Sequence, residues 1–289
     1  MSRWVISLNF WTHSIFGRVT RCFVQRKIEQ LFGNFNYYNL FINMYGLIGN
    51  PLGHSFSAKF FNEKFRKEGI EESYNLFPLP DILCVNEMLR ENKELKGFNV
   101  TIPYKEQIIP LLDSISKEAA EIGAVNVVRV DNYEGKQWLS GFNTDVIGFR
   151  ESIRPLLRPE MKKALVLGTG GASRSVVYAL SNMGIRVTLV SRAKNENTIT
   201  YSELTKDIIE SKLIIVNTTP LGMWPEIDRC PDIPYQFITD RHVCYDLVYN
   251  PEETQFLIKS KEKGAVIKNG IEMLHLQALA AWDIWQDKG

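Results

Sequence analysis

Apolar positions along the chain follow two rhythms, and the switch between them is sharpest over residues 163–190. Lys163-Ala164-Leu165-Val166-Leu167 is a short apolar run that passes directly into Gly168-Thr169-Gly170-Gly171-Ala172-Ser173-Arg174. Ser175-Val176-Val177-Tyr178-Ala179-Leu180 then carries apolar residues at helical spacing. Gly184 stops it, and Arg186-Val187-Thr188-Leu189-Val190 is again strand-like. This order predicts a βαβ unit with a phosphate-gripping turn at its first corner. The glycines let backbone N–H groups approach a pyrophosphate, and the new helix points its positive end at that charge. A tight β–α turn in any α/β domain would look alike, and the third small position is Ser173, not glycine. The two flanking strands tip the reading toward dinucleotide binding.

The same rhythm continues downstream. Helical spacing covers Thr200 to Ser211. Leu213-Ile214-Ile215-Val216-Asn217 is apolar throughout, as a buried parallel strand is, and Thr218 to Met223 follows as a loop. Val243 to Tyr249 is a strand stopped by Asn250-Pro251. A helix over 252–263 ends at Gly264, Ala265-Val266-Ile267 is a strand, and a last helix covers 271–286. Parallel strands alternating with helices over 163–270 imply an open, doubly wound sheet.

The first half is also α/β. Strands are predicted at Met44–Gly49, 74–79, 97–102 and 123–130, with a hairpin turn over 131–136 and a returning segment from Trp138 to Asp145. Helices are predicted after Ser57 (apolar face Phe60, Phe61, Phe65), over 81–92, over Ser114–Ile122 opened by Asp113 or Ser114, and from Val146, capped by Thr144 or Asp145.

Composition narrows the classes. The chain of 289 residues has 45% hydrophobic residues and a net charge of +1, enough for one large or two medium domains and poorly suited to nucleic acid. Cys22, Cys84, Cys230 and Cys244 are scattered without metal spacing, so they are expected as free thiols in a reducing cytosol, with no metal site. No apolar run of membrane-spanning length occurs, so no membrane partner is expected. Residues 1–43 carry five basic residues against one acid and lack a sustained period, with weak helices possible at 14–32. They are expected as an appended segment outside the fold, which starts at Met44.

Candidate chemistry clusters at turns and strand ends. Ser55 and Ser57 stand at a helix N-terminus, where they could cap the helix or hold a carboxylate. Lys105 follows the strand-ending Pro103, close to Asn99 and Thr101, at the kind of strand end where α/β ligand sites form. Asn126 is a single polar residue in an apolar strand. Arg192 stands at the end of the second strand of the βαβ unit, where an acid would mark NAD and a guanidinium suits the 2′-phosphate of NADP.

From Asn99 to Lys105 onward the chain resembles the shikimate dehydrogenase family. The motifs are Gly49-Asn50-Pro51-Leu52-Gly53-His54-Ser55-Phe56-Ser57, Asn99-Val100-Thr101-Ile102-Pro103-Tyr104-Lys105, Gly123-Ala124-Val125-Asn126 and Gly141-Phe142-Asn143-Thr144-Asp145. In the second half they are Gly168 to Arg174, Asn217-Thr218-Thr219-Pro220-Leu221-Gly222-Met223, Asp246-Leu247-Val248-Tyr249-Asn250-Pro251, and Gly270 with Met273-Leu274 and Gln277. The resemblance covers 44–289. It implies an α/β substrate-binding domain at 44–144, completed by the C-terminal helix 271–289, and a Rossmann-type doubly wound NADP domain at 145–270.

The resemblance implies NADPH-dependent reduction of 3-dehydroshikimate to shikimate by a cytoplasmic monomer or homodimer. Lys105 and Asp145 would be the catalytic pair. Ser55 and Ser57 would hold the substrate carboxylate, Thr101, Asn126 and Gln277 the ring hydroxyls, with Asn99 and Tyr249 also at the substrate. Gly168, Thr169, Gly170, Gly171, Ala172, Ser191, Arg192, Thr218, Leu247, Gly270 and Met273 would bind the cofactor. Ser191 and Ala193 depart from the Asn-Arg-Thr that many members carry around the arginine. A quinate or dual quinate/shikimate dehydrogenase using NAD is the neighbouring alternative, followed by a low-activity cofactor-binding paralogue. Folate-linked NADP dehydrogenases share the two-domain plan, but the two serines and Asn-Thr-Asp are not expected there.

Overall fold

The computed structural model describes residues 43–53 and 55–287. The appended segment up to residue 42, with Cys22 and the helices expected at 14–32, lies outside the described residues, as does His54. Among the described residues the backbone forms two six-stranded sheets.

The first sheet is built from β1 (Met44–Gly49), β2 (Ser73–Pro78), β3 (Leu95–Val100), β4 (Ser114–Ile115), β5 (Val127–Tyr133) and β6 (Lys136–Phe142), in the order β2-β1-β3-β5-β6-β4. β1 runs parallel to β2 and β3, and β5 runs antiparallel to both β3 and β6. Side chains of a strand alternate between faces. Thus Tyr45, Leu47 and Val127 face α1 (Phe56–Glu68), which buries Phe61 and Phe65. Ile48, Phe98, Val100 and Val128 face α2 (Val85–Glu91), which buries Val85, Met88 and Leu89.

The second sheet joins β7 (Lys163–Leu167), β8 (Arg186–Ser191), β9 (Thr198–Thr200), β10 (Ile214–Asn217), β11 (Val243–Asp246) and β12 (Val266–Lys268), all parallel, in the order β12-β11-β10-β7-β8-β9. This is the doubly wound order, and its direction reverses between β7 and β10. Crevices for ligands form at the carboxyl edge beside that reversal. The glycine corner follows β7 and the Thr218 loop follows β10, so both flank it.

Two helices span from one sheet to the other. α4 (Asp145–Ile153) carries Val146, Phe149 and Ile153 into the core of the second sheet, and Ser152 Oγ meets the Tyr245 hydroxyl at 2.7 Å. α8 (Ile271–Trp285) starts in that core through Met273 and ends on the first sheet through Ala278, Ala281, Trp282 and Trp285. The two helices cross closely at Gly148, where a Cβ would stand 2.4 Å from the Met273 carbonyl oxygen. That approach permits only glycine.

Several local expectations shift. Ser114 and Ile115 form β4, not the first helical turn, because Asp113 accepts from Leu139 N and Ser114 Oγ donates to Ser140 Oγ across the sheet edge. The helix there is α3 (Lys117–Ile122), capped by Ser116 accepting from Ala119 N. Gly123 (φ +70°) ends α3, so the ladder begins at Val127 and not at Gly123. Thr200 to Ser211 is not one helix. Glu203 folds back on Thr200 to close a 3₁₀ turn at Tyr201–Glu203, and Thr205 caps a separate α6 (Lys206–Glu210). Thr254 caps α7 (Gln255–Lys261), which is shorter than expected at both ends. The residue that caps α4 is Asn143, whose Oδ1 accepts from Val146 N at 3.3 Å. Thr144 holds the N-cap position but its hydroxyl is engaged by Asn126.

A Cβ at Gly97 in β3 would fall 2.2 Å from Trp285 Nε1, which donates to the Val128 carbonyl at 3.1 Å. Gly97→Ala is therefore expected to lower the unfolding free energy by about 1–3 kcal/mol through overpacking. Urea midpoints measure this, and an unchanged midpoint would show that α8 is not locked to the sheet.

Candidate active site

β3 ends at Val100, the chain turns at Pro103, and Lys105 follows. Its ammonium donates to Asp145 Oδ2 at 2.5 Å, and both side chains are largely sequestered, at 17% and 10% exposure. Asp145 is the first residue of α4, where a carboxylate is favoured by the helix dipole. Its Oδ1 accepts from Asn126 Nδ2 at 3.0 Å. The same amide lies 3.0 Å from Thr144 Oγ1 and 3.4 Å from Gln277 Oε1. With two hydrogens for three acceptors, Asn126 shares them. Its Oδ1 accepts from Thr144 N at 2.7 Å, which fixes the amide orientation. Asn126, Asp145 and Gln277 are all buried, so three elements of distant sequence converge on one polar floor.

The other end of this floor reaches the first sheet. Asn99 Nδ2 donates to the Asn126 carbonyl, and Asn99 Oδ1 accepts from the Tyr74 hydroxyl at 2.7 Å. Burial pushes the Tyr74 hydroxyl well above its ordinary value, while a bond with Ser57 pulls it back. Ser57 stands beside that hydroxyl. Ser55 caps α1, its Oγ accepting from Ala58 N at 3.4 Å, which leaves the hydroxyl proton available to another acceptor. Thr101 packs against Gly49, where a Cβ would meet its methyl group at 2.5 Å. Tyr249 arrives from the second sheet, its ring 6.2 Å from Phe56, and desolvation raises its hydroxyl.

The glycine corner faces the pair. Gly168 has φ +107°, and Gly171 opens α5 (Gly171–Asn182) with its Cβ position 3.7 Å from Lys105 Cβ and Cδ. Nothing lies within 4 Å of a Cβ built on Gly170, so space for a ligand exists against that backbone. The first N–H groups of a helix lack intrahelical partners, and α5 carries no acidic residue in its first turn. The corner therefore fits a pyrophosphate. Thr169 and Ala172 belong to it, and Ser173 is buried, giving the close helix–strand packing. Thr218 Oγ1 donates to the Leu167 carbonyl at 2.7 Å, across the reversal of strand order. Leu247 and Gly270 touch so closely that a Cβ on Gly270 would stand 2.1 Å from the Leu247 carbonyl oxygen. Met273 is buried in the first turn of α8.

Ser191 and Arg192 lie apart from the pair, one strand further out, at the end of β8. Arg192 is exposed. Burial raises the Tyr201 hydroxyl and the Arg192 charge lowers it, which places the guanidinium near that phenol. A groove of about 740 Å³ runs along the outer side of α5 from Thr169 and Ser173 past Tyr178 to Asn197. It adjoins the corner and includes neither Lys105 nor Asp145.

A sequence model of the shikimate dehydrogenase substrate binding domain matches residues 47–128. The NADP⁺-dependent shikimate dehydrogenase of Aquifex aeolicus is 41% identical over 254 residues, covering 84% of this chain and 90% of that protein. The chain belongs to the shikimate dehydrogenase family. The crystal structure of the Aquifex aeolicus enzyme aligns with a TM-score of 0.75 at 38% identity, covering 86% of this chain and 94% of that one. The shikimate 5-dehydrogenase of Thermus thermophilus in complex with NADP(H) and shikimate aligns at 0.74 and 30% identity, covering 85% and 94%.

In this family member Tyr74, whose hydroxyl holds Asn99, has no role legible in the sequence, and the roles of Asn217 and Asp246 emerge only in the fold. A tyrosine in an apolar strand carries no signal of its own partner. Asn217 and Asp246 did carry one, each being a polar residue closing an apolar strand. Among the described residues there is no cluster of three or more metal-ligating side chains, and no helix is long and apolar enough to cross a membrane. Cys84, Cys230 and Cys244 are free, and burial pushes the Cys244 thiol up to about 12.

Asp246 is fully buried. Desolvation raises its carboxyl from the usual 3.8 to about 6, against hydrogen bonds from Thr254, Val248 and Asn217 that lower it. The folded state thus holds this proton more tightly than the unfolded chain. The associated stability is present below about pH 4 and lost as pH rises through about 6, an effect of about 3 kcal/mol. The difference in urea midpoint between Asp246→Asn and the parent should shift in favour of the variant over that window. A constant difference from pH 4 to 7 would contradict it.

Proposed function

We propose that this chain reduces 3-dehydroshikimate to shikimate with NADPH, reversibly, in the cytosol, as a step toward aromatic amino acids. The observation that carries the reading is the Lys105 ammonium, 2.5 Å from Asp145, seated against the glycine corner at Gly171. The names of the curated relatives, NADP⁺-dependent shikimate dehydrogenases, support the same substrate and cofactor. We assign substrate recognition to residues 44–144 with the C-terminal helix, and cofactor binding to 145–270.

NADPH, when bound, would supply a hydride to the ring carbonyl. The carbonyl oxygen gains negative charge as the hydride arrives, and a nearby proton donor lowers the barrier. Lys105 holds that proton at Nζ. Asp145 fixes the direction of the Nζ–H bonds, and Asn126 fixes Asp145 through its second oxygen. Asn126 and Gln277 offer amide groups to ring hydroxyls from the same floor, and Thr101 adds a hydroxyl from the end of β3. Ser55, Ser57 and Tyr249 offer hydroxyls to the carboxylate, near the N-terminus of α1, whose dipole favours an anion. Arg192 presents a charged, exposed fork to a 2′-phosphate, with Ser191 beside it.

Lys105→Ala is expected to lower kcat by roughly 10²-fold or more, the scale of a lost general acid, with a smaller change in KM for 3-dehydroshikimate. Consumption of NADPH followed by its absorbance measures this, and near-parent turnover would remove Lys105 from the chemistry. Arg192→Glu should raise KM for NADPH and spare NADH. Running NADH and 3-dehydroquinate in parallel tests the substrate and cofactor directly, and a preference for either would overturn the assignment.

A further inference from the structure

Two loops leave the carboxyl edge of the second sheet on the β10–β11 side. One runs from Thr218 to Met223 and the other from Leu247 to Asn250. A single carboxylate stands at the fork between them. Asp246 Oδ1 accepts from Asn217 Nδ2 and from Val248 N, each at 3.0 Å, and Oδ2 accepts from Thr254 Oγ1 at 2.6 Å. Asn217 Oδ1 in turn accepts from Thr219 N at 3.0 Å and Thr219 Oγ1 at 2.7 Å. Thr254 Oγ1 accepts from Leu257 N at 3.3 Å, and its Cβ lies 3.3 Å from where a side chain on Gly222 would begin. Asn217, Asp246 and Thr254 have no exposed surface. One continuous chain of hydrogen bonds therefore runs from the first loop, through the carboxylate, to the second loop and the start of α7.

We propose that Asp246 is a positioning residue that sets the spacing of these two loops and thereby the grip on the nicotinamide half of the cofactor, leaving the adenosine half untouched. This rests on the NADP reading above. In a doubly wound sheet each half holds one nucleotide. The β7–β8–β9 half carries the glycine corner and Arg192, and the β10–β11–β12 half carries Thr218, Leu247 and Gly270. The bonds from Asp246 all fall in the latter half.

The geometry suits an acid. Three donors converge on two oxygens, and only a carboxylate offers acceptors alone on both. An asparagine would turn an NH₂ group toward one of those donors. Burying the charge lowers stability, as the raised pKa of Asp246 shows. A residue serving only to hold the core together would do so at less cost as a neutral side chain. What the charge adds is the strength of three bonds to loops that face the cleft.

The test compares two ligands by titration calorimetry: NADPH, and 2′,5′-ADP, which carries the adenosine end alone. Asp246→Asn is expected to weaken NADPH about tenfold or more, the scale of a lost charge-assisted bond, while 2′,5′-ADP changes less than about twofold. Thr254→Val, which removes one donor from the same carboxylate, should shift the ratio the same way, and Thr254→Ser should restore it. If Asp246→Asn fails to fold, the Thr254 pair carries the comparison. A general structural role would weaken both ligands together, and that result, or an unchanged ratio, overturns the proposal. If the parent protein binds neither ligand, the cofactor reading itself falls and the proposal falls with it, an outcome distinct from the other two.

Discussion

The contact between the Lys105 ammonium and the Asp145 carboxylate joins residues 40 positions apart, and most of the molecule can be read as the apparatus that makes it. A lysine held there needs a strand that stops in time, which Pro103 ensures by removing a ladder donor. The aspartate needs a helix that begins at that point. Asn143 supplies the cap, and the helix must then pass under α8 closely enough that only glycine fits at position 148. Both charges are mostly withdrawn from water, so their attraction is stronger than at the surface, and leaving either one alone would be costly.

Polar atoms around this pair are almost all committed. Asn126 serves Asp145, Thr144 and Gln277 with one amide group and is itself oriented by Thr144 N. Satisfied networks of this kind are rigid, because each bond is strengthened by the low local dielectric and moving one member strands the others. Rigidity suits proton transfer, which depends on the donor already lying in the right direction. The glycine corner meets the same network from the opposite side through Gly171. The glycine corner that follows β7 thus stands close beside Lys105, which follows β3 of the other sheet.

The two sheets divide the work in physical terms as well. The first buries aromatic rings between β1, α1 and α8, with Tyr45, Phe61, Tyr74, Trp282 and Trp285 in mutual contact. The second is an aliphatic parallel sheet whose carboxyl edge is lined by short polar side chains such as Asn217, Thr218 and Asp246. Aromatic packing fixes where α8 lies and hence where Gln277 points. The polar edge of the second sheet fixes where the loops stand.

Much of the architecture was written in local pattern. Apolar runs of strand length, helical spacing after the glycine turn, and stops at Gly184, Pro103 and Pro251 yielded the order of strands and helices, and ordered motifs brought out the family. Boundaries slipped where a side chain bonds across the chain: Ser114 joined a strand because Ser140 and Leu139 lie opposite, and Thr200 to Ser211 broke because Glu203 turned back on Thr200. The sequence by itself determined which residue types were available for a proton donor, a carboxylate partner and a phosphate turn. Only the tertiary structure decided that Asn126 shares its amide among three partners, that Tyr74 holds Asn99, and that Asp246 ties two loops together. Periodicity reports which face of an element is buried, whereas a buried hydrogen bond depends on which elements meet there, and that is settled only when the sheets and the two spanning helices pack.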